Sequence, residues 1–391
     1  MSSSFDLFPD TTRVTLDNHL AIGGVDLVTL ATQHGTPLSV YDSATVVARA
    51  GAMREALRAS YPGTSTLCYS AKAYVAPWLL RLLAQENLGL DVVSGGELHV
   101  AARAGFPMER VYVHGHNKSD AELASAVGHR VGRVVVDSLD EIALLGRLAA
   151  ERRTAQPVLL SLGVGAIGLE MSSGAALAGV RAILALAELD LRGFDVELDA
   201  RDAETPGATI DGVFAFAAQM RETTGFVLRE VSVTVRATMD LPMLAGAVFA
   251  SSTRHGPEQP ELTIALGDPI VAPAGVTLRR VVSVKKGAPA YVSVDGPATV
   301  GAHPVALASR VEDGGLAEVS VVAAPGEVVI DKATLPLPHV GDLIAVAVAG
   351  VQGSDAGGMA PRPAVVVAAD GDATLVRSRE TYDDLVARDL I

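Results

Sequence analysis

The sequence predicts an α/β domain of parallel strands followed by an antiparallel β-domain. At 391 residues the chain is too long for one ordinary hydrophobic core. From about residue 37 to 270, apolar strand patterns alternate with helical patterns, which is typical of parallel βα units. Beyond residue 270, short β-rich runs separated by Gly and Pro replace that alternation. Eight βα repeats would close the first domain into a barrel.

The first βα units follow a short, mixed segment of about 36 residues. Leu38–Tyr41 has a strand pattern, and Asp42 and Ser43 can cap a helix that runs to Leu57. Further strands are predicted at 66–68, 88–91, 111–113, 133–136, 158–162, 191–198 and 231–235. Helices are predicted between them at 78–83, 97–104, 120–126, 174–188 and 210–222.

The C-terminal domain is predicted to be built from strands at 276–284, 290–294, 316–322, 327–330, 343–349 and 363–368. We therefore place the domain boundary near residue 270, with the α/β domain at 37–270 and the β-domain at 271–391.

The composition favours a soluble protein with small-molecule or protein partners. Hydrophobic residues make up 49% of the chain and charged residues 19%, which allows a large core. A net charge of −14 disfavours nucleic acid and anionic membrane surfaces as partners. We see no membrane span and no secretory signal, so we expect a cytoplasmic protein. Cys68 is the one cysteine, which leaves no intrachain disulfide and no cysteine-rich metal site.

Three blocks in the first domain carry candidate chemistry. Tyr69–Ala73 places Lys72 just past a buried strand, where a barrel enzyme can use an amine as a base or Schiff-base former. A lone lysine there is more often a solvated side chain with a packed stem. Asp91–Leu98 and His114–Ser119 follow.

The order and spacing of these blocks resemble the N-terminal half of diaminopimelate decarboxylases. Those enzymes belong to the fold-type III decarboxylases that depend on pyridoxal 5'-phosphate (PLP). The resemblance covers about residues 37–145 and returns in the tail, Arg377–Leu385. It implies a TIM-type (β/α)8 barrel of the alanine racemase type, an N-terminal arm at 1–36 that joins the β-domain, and a closing helix. It also implies a homodimer, because the family builds its sites across a two-fold axis.

The resemblance further implies PLP as cofactor and Lys72 as the Schiff-base lysine. Asp91, Ser94 and His116 fall in the matching blocks and are expected to line the cofactor pocket. The family's glycine-rich phosphate cradle corresponds to Val233–Ala237, which contains no glycine. Arg236 could hold a phosphate there through its side chain, and a solvated surface arginine is the equally open interpretation.

The groups that tune the cofactor ring and hold the substrate differ as well. The family's ring-stacking histidine corresponds to Glu197, its pyridine-binding glutamate to Ala265, and a nearby arginine to Asp268. Its substrate arginine corresponds to His303 and its cofactor-contacting tyrosine to Gln352. One lost charge-assisted contact costs about 1.5–3 kcal/mol, so several losses together would weaken PLP binding by orders of magnitude.

Carboxylate side chains occur in the region where the family's cofactor contacts are missing. Asp195, Glu197 and Asp199 alternate along a predicted strand and would share its inward face. They would need partners, for which Lys72 and Arg236 are candidates. Functional and structural interpretations of this trio are equally open. His114 and His116 lack an evident third ligand, so no metal site is predicted.

We interpret the chain as a diaminopimelate decarboxylase-like protein whose old PLP pocket now serves a small metabolite. Catalytic roles are expected for Lys72, Glu197 and His303. The pocket is expected to include Asp195, Arg236, Asp268 and Gln352. Two alternatives remain: a non-catalytic homologue that binds or regulates a partner, and a PLP-dependent amino-acid decarboxylase with relocated cofactor contacts.

Overall fold

A computed structural model of the chain describes residues 5, 7–163, 168–198, 206–235, 240–256, 259–297, 304–312, 315–324, 327–347 and 360–389. The chain divides into two compact units, one of residues 1–48 with 268–391 and one of residues 49–267. Of the residues expected in the site, Arg236, His303 and Gln352 lie outside the described residues, as does Asp199.

The N-terminal segment contributes one helix and four short strands to the first unit. They are β1 (Arg13–Val14), β2 (Leu20–Ile22), β3 (Val25–Asp26), α1 (Leu27–His34) and β4 (Leu38–Asp42). The strand expected at Leu38–Tyr41 exists as β4, but it does not belong to the barrel. It pairs in antiparallel fashion with the strand that starts at Gly275 and in parallel with the strand that starts at Ala364. The expected barrel start at residue 37 is corrected accordingly.

The second unit holds a closed barrel of eight parallel strands, which confirms the predicted TIM-type fold. The strands are β5 (Ser65–Ser70), β6 (Gly89–Val92), β7 (Val111–Val113), β8 (Arg133–Val136), β9 (Gln156–Gly163), β11 (Leu189–Leu198), β12 (Glu230–Val235) and β13 (Glu261–Leu266). A short strand, β10 (Leu169–Glu170), pairs with β9 outside the ring. Closure comes from the pairings of β8 with β9 and of β13 with β5.

Helices alternate with these strands along the chain. They are α2 (Ser43–Ser60), α3 (Pro77–Gln85), α4 (Gly95–Ala104), α5 (Asp120–His129), α6 (Leu139–Glu151), α7 (Ala175–Leu184), α8 (Pro206–Thr224) and α9 (Leu241–His255). Helix α9 and strand β13 were not predicted.

A repeated serine cap starts three consecutive barrel helices. The side chains of Ser94, Ser119 and Ser138 each accept the backbone N–H of a glutamate three residues later. At Ser119 the glutamate reaches back to the cap residue, which completes a capping box. The caps fix the positions at which the chain turns from strand to helix, at the C-terminal end of the barrel.

Alternation along the strands decides which side chains enter the barrel. The Phe194 ring lies 5.3 Å from the Phe216 ring of α8, so Phe194 faces the helix layer. Its neighbour Asp195 therefore points into the barrel, as does Glu197. One interior cluster consists of Cys68, Tyr112, Val135, Leu159 and Ala265.

The C-terminal segment adds the rest of the first unit. Its elements are α10 (Asp268–Val271), β14 (Gly275–Lys285), β15 (Ala290–Pro297), β16 (Val305–Leu307), β17 (Leu316–Ala324), β18 (Glu327–Pro336), β19 (Leu343–Ala347), β20 (Ala364–Ala369), β21 (Asp372–Arg377) and α11 (Tyr382–Val386). The sheet runs β18-β17-β15-β14-β4-β20-β21, with β19 on β14 and β16 on β19. Most neighbours are antiparallel, as predicted for this domain, whereas β15 pairs with β17 and β4 with β20 in parallel.

Across the described residues, we find no helix with the length and apolar character needed to cross a membrane.

Candidate active site at the C-terminal end of the barrel

Lys72 stands two residues past the end of β5, where the predicted nucleophilic or basic lysine was expected. Its Nζ lies 3.9 Å from Oε1 of Glu197, near the end of β11. The Lys72 side chain is 47% exposed and that of Glu197 20% exposed, so the pair can be reached from solvent. The separation exceeds a direct hydrogen bond, which leaves the pair able to share a proton with a group placed between them.

Below this pair, three buried ionisable side chains form what we call the floor of the site: Asp91 on β6, His114 just past β7, and Asp195 on β11. His114 Nε2 lies 3.6 Å from Asp91 Oδ1, and His114 Nδ1 lies 3.9 Å from Asp195 Oδ2. Ser70 Oγ donates a 2.9 Å hydrogen bond to the other Asp91 oxygen. The imidazole is thus flanked by a carboxylate on each side.

Burial and like charge dominate the electrostatics of the floor. Burial raises the pKa of Asp195, and the negative charges of Asp91 and Glu197 add to this, while His114 opposes it. Burial likewise raises the pKa of the nearby Glu97, with a smaller rise from Asp91 and an opposing effect of Lys72. The carboxyl groups at this end of the barrel therefore compete for the available positive charge.

Several buried polar atoms of the site lack a hydrogen-bond partner among the described residues: Asp91 Oδ1, Asp195 Oδ1, Ser232 Oγ and Thr234 Oγ1. Ser232 is the cross-strand neighbour of Asp195, and Thr234 that of Glu197. The Ser232 hydroxyl is close enough to lower the pKa of Asp195, although Ser232 Oγ and Asp195 Oδ1 each miss hydrogen-bond geometry. Unmet polar groups of this kind are costly in a core and are a common feature of functional sites.

Two other predicted site residues have partners of their own beside the site. Ser94 caps α4, and His116 Nδ1 lies 2.6 Å from Asp137 Oδ2. Lys118 is buried, with Nζ 2.9 Å from Glu141 Oε1 and a 2.6 Å hydrogen bond to the Gly115 carbonyl. The contacts of His116 and Lys118 join the loops after β7 and β8, and the Ser94 cap orders the start of α4 after β6.

Asp268 belongs to the other compact unit, at the start of α10. Asp268 is exposed, and desolvation by the surrounding protein atoms raises the pKa of its carboxyl group. Among the described residues, no group of three or more His, Cys, Asp or Glu side chains is arranged to hold a metal ion.

The sequence reasoning identified Lys72, Asp91, Asp195 and Glu197, which lie at the same end of the barrel. It treated His114 only as half of a metal-type pair, and it did not identify Ser232 or Thr234. Their alternation along β12, whose inward residues are Glu230, Ser232 and Thr234, was the available signal.

The PLP cofactor implied by the sequence would need an amine and a phosphate-binding region. Lys72 supplies the amine. The stretch expected to hold the phosphate, 233–237, is described only as far as Val235.

Comparison with known proteins gives a consistent picture. Residues 43–174 match the family described as pyridoxal-dependent decarboxylase, pyridoxal binding domain. Diaminopimelate decarboxylase of Bacillus subtilis is 33% identical, with 97% of this chain and 97% of that protein covered. Diaminopimelate decarboxylase of Mycobacterium tuberculosis is also 33% identical, with 94% of each covered.

Solved structures agree on the fold. The crystal structure of diaminopimelate decarboxylase from M. jannaschii in co-complex with L-lysine superposes with a TM-score of 0.87 at 23% identity, covering 98% of both chains. With relatives at 33% identity that align over nearly its whole length, this chain belongs to the fold-type III family of PLP-dependent decarboxylases.

Proposed function

We propose that this chain is a repurposed enzyme of the decarboxylase family that binds a small metabolite at the C-terminal end of its barrel. The observation that carries the proposal is the Lys72–Glu197 pair, 3.9 Å apart and open to solvent above a buried floor. An amine and a carboxylate at that separation are suited to proton transfer with a bound substrate. The pair lies at the end of the barrel where enzymes of this fold place their sites.

The floor gives the pair its setting. Asp195 is two residues from Glu197 on the same strand, so both carboxylates enter the barrel from β11. Asp91 is held by Ser70, and His114 lies between Asp91 and Asp195. Next to these buried groups, a charge that develops on a substrate would interact more strongly with fixed groups than it would in solution.

The Lys72–Glu197 pair also determines the kind of substrate group that would react, namely one that can give up a proton. A substrate acid placed between Lys72 and Glu197 would give its proton to one of them. The other would stabilise or reprotonate the product. Asp268, Arg236, His303 and Gln352 stay candidate pocket residues within this proposal, as do Ser94 and His116 on the rim. A homodimer, which the family relationship supports, and a cytoplasmic location are part of the same proposal.

The test is a ligand screen against purified protein. Small amines, amino acids and carbonyl compounds would be added one at a time, and the melting temperature recorded for the unaltered protein and for Lys72→Ala. A ligand at about 100 times its Kd stabilises the folded state by about 2.7 kcal/mol. We expect a ligand that stabilises the unaltered protein, is converted to a product detectable by NMR, and loses conversion in Lys72→Ala.

Lys332→Ala is the matched control, because Lys332 is an exposed lysine of the other compact unit. It should behave like the unaltered protein. If Lys72→Ala is folded and binds the same ligand or protein partner equally well, without conversion in either protein, the non-catalytic alternative is correct instead.

A PLP enzyme with relocated contacts remains the second candidate, because Lys72 occupies the Schiff-base position. A titration of the purified protein and of Lys72→Ala with PLP, followed by visible absorbance, decides it: an aldimine band in the unaltered protein and none in Lys72→Ala would support this candidate.

A further inference from the structure

We propose that His116 is a further catalytic residue of the site, which takes a proton from the bound ligand through Nε2, and that Asp137 is its positioning residue. The inference rests on the proposed function for the kind of reaction, proton transfer with a small metabolite. It adds a base that is separate from the Lys72–Glu197 pair and lies on the loop after β7.

The contact between His116 and Asp137 is the first step of the argument. His116 Nδ1 lies 2.6 Å from Asp137 Oδ2. A carboxylate oxygen accepts hydrogen bonds, so Nδ1 donates and Nε2 carries the lone pair that can take a proton. When Nε2 takes that proton, the electron pair of the broken bond stays on the ligand, and the Asp137 carboxylate stabilises the charged ring. The His116 side chain is 40% exposed, so a ligand can reach it.

The backbone around His116 is the second step. Gly115 has a φ of 95° and Asn117 a φ of 58°, so the imidazole is carried between two residues in the left-handed region. A Cβ at Gly115 would lie 2.7 Å from the Val93 carbonyl oxygen, which is too close for any side chain. Left-handed residues other than glycine are uncommon and cluster at functional sites. The turn that presents His116 therefore depends on both of its neighbours.

Side-chain contacts close a ring around this turn, which is the third step. The Asp137 N–H donates to Glu141 Oε2 at 3.0 Å, and Glu141 Oε1 lies 2.9 Å from Lys118 Nζ. Lys118 Nζ in turn donates to the Gly115 carbonyl at 2.6 Å, next to His116 in the chain. The Lys118 and Glu141 side chains are 3% and 8% exposed, and burying such a pair costs desolvation energy. The ring fixes His116 relative to Asp137, as an oriented proton-transfer pair requires.

The position of the turn is the fourth step. Gly115 packs against Val93, the residue that follows β6. The Val93 N–H donates to Glu97 Oε2 at 2.7 Å. Burial raises the pKa of Glu97, and the charge of Lys72 opposes that rise, so Lys72 is close enough to act on Glu97. These contacts place the His116 turn beside the groups that surround Lys72.

A second histidine–aspartate pair shows how a structural pair differs in this chain. His19 Nδ1 lies 2.8 Å from Asp26 Oδ2, but the Asp26 side chain also caps α1 by accepting an N–H of its first turn. Helix α6 begins just after Asp137 and is capped by Ser138 instead. Asp137 is therefore not needed as a helix cap, and the described contact of its carboxylate is with His116.

The experiment measures which ring nitrogen of His116 carries the proton and how fast the other nitrogen reacts. Purified full-length protein with isotope-labelled histidine would be studied by long-range proton–nitrogen NMR, which distinguishes the two tautomers. The same proteins would be treated briefly with diethyl pyrocarbonate at about pH 8, where an ordinary imidazole is neutral, and the label on each histidine measured by peptide mass spectrometry. The variants are Asp137→Asn, Asp137→Glu and, as the matched control, Asp26→Asn. His116→Gln assigns the NMR signal.

We expect neutral His116 to carry its proton on Nδ1 in the unaltered protein and to lose that preference in Asp137→Asn. Labelling of His116 should slow roughly tenfold in Asp137→Asn, which removes a charge-assisted hydrogen bond, and should recover in Asp137→Glu. Asp26→Asn should leave both readouts at His116 unchanged. For any ligand that the unaltered protein converts, His116→Gln should lower kcat about 100-fold or more while the Kd changes little.

Three results would overturn the inference. One is a proton on Nε2 of neutral His116 in the unaltered protein, which decides even if Asp137→Asn is not folded by circular dichroism. Another is an equal labelling rate in Asp137→Asn and the unaltered protein, which would make His116 an exposed side chain with a structural contact. The last is a converted ligand whose kcat is unchanged in His116→Gln. Because NMR and labelling need no turnover, a failed metabolite screen would count against the proposed function and leave these two readouts unaffected.

Discussion

The two ends of the barrel interior differ in how completely their buried charged groups are hydrogen-bonded and paired. At the N-terminal end, the Glu230 side chain is 1% exposed and both of its carboxylate oxygens accept hydrogen bonds. Its Oε1 accepts hydrogen bonds from Tyr112 at 2.8 Å and Thr263 at 3.3 Å, and its Oε2 accepts one from Arg133 Nε at 2.6 Å. The Arg133 guanidinium also lies over the Tyr112 ring, 5.8 Å from its centroid. This is a network in which each charge has a partner.

At the C-terminal end, Asp91 and Asp195 each keep one buried oxygen that accepts no hydrogen bond from the described part of the chain, and their contacts to His114 are longer than 3.5 Å. The hydrogen-bonding capacity of the buried carboxylates is therefore better satisfied at the N-terminal end of the barrel than at the C-terminal end, where we propose that a ligand binds. We infer that the N-terminal network stabilises the fold. The C-terminal floor lowers the stability of the fold and leaves its charged groups able to interact with a ligand.

Arg133→Ala gives the largest expected effect and tests the stabilising half of the comparison. Removing the guanidinium leaves Glu230 charged and buried, which typically costs about 3–5 kcal/mol of unfolding free energy. Urea unfolding followed by the fluorescence of Trp78, the one tryptophan and a barrel residue, measures it. The double variant Arg133→Ala/Glu230→Gln should recover part of the loss. A cost below about 1 kcal/mol for Arg133→Ala would contradict the assignment of this network to stability.

Asp195→Asn tests the other half through pH. Because burial raises the pKa of Asp195, its stabilising contribution is present at pH below about 4 and is lost as pH rises through the raised pKa. The unfolding free energy of Asp195→Asn, relative to the unaltered protein, should therefore increase from acid towards neutral pH. Urea titrations at several pH values check this. A difference that is flat with pH would mean that Asp195 is not under-satisfied.

Much of the fold was predictable because the barrel strands carry local signals. The strand expected at 111–113 matches β7, and that expected at 231–235 matches β12 to within one residue. Strand β4 was assigned to the wrong sheet because its alternating pattern identifies a strand but not its partner. That partner, β14, begins more than 200 residues away.

The site was predictable only where a residue type is unusual for its place. Lys72 and the carboxylates Asp195 and Glu197 stood out because charge in an apolar strand needs a reason. His114 did not, because its partners Asp91 and Asp195 come from two other strands and meet it only once the barrel closes. The unmet hydrogen bonds of Ser232 and Thr234 are a property of three-dimensional packing and leave no trace in the sequence.

Glu122→Ala tests a contact at the rim of the C-terminal end of the barrel. We expect it to lower the unfolding free energy less than Arg133→Ala does. Glu122 accepts the backbone N–H of Ser119 at 2.9 Å and that of Gly95 at 2.7 Å, so it links the starts of α5 and α4. Loss of a capping contact costs about 1 kcal/mol.

The pH dependence of Glu122→Ala should have the opposite sign to that of Asp195→Asn. The Ser119 hydrogen bonds and then the Gly95 N–H lower the pKa of Glu122, so its contribution is present above about pH 4.5 and is lost as pH falls through the lowered pKa. Parallel urea titrations of the two variants should therefore converge on the unaltered protein from opposite directions. Curves of the same sign would show that the rim is not better satisfied than the floor.

Arg58→Ala carries the smallest expected effect and shows what the comparison depends on. The Arg58–Glu55 ion pair on α2 has a 2.7 Å contact, much shorter than the 3.9 Å of Lys72–Glu197, but its side chains are 72% and 62% exposed. Water already solvates both charges and competes with the pair, so removing Arg58 should leave the unfolding curve unchanged within error. A measurable loss would mean that contact distance determines how much an ion pair stabilises the fold. No loss for Arg58→Ala, together with a large loss for Arg133→Ala, would mean that burial determines it. By the same reasoning, burial identifies the floor of the site despite its long contacts.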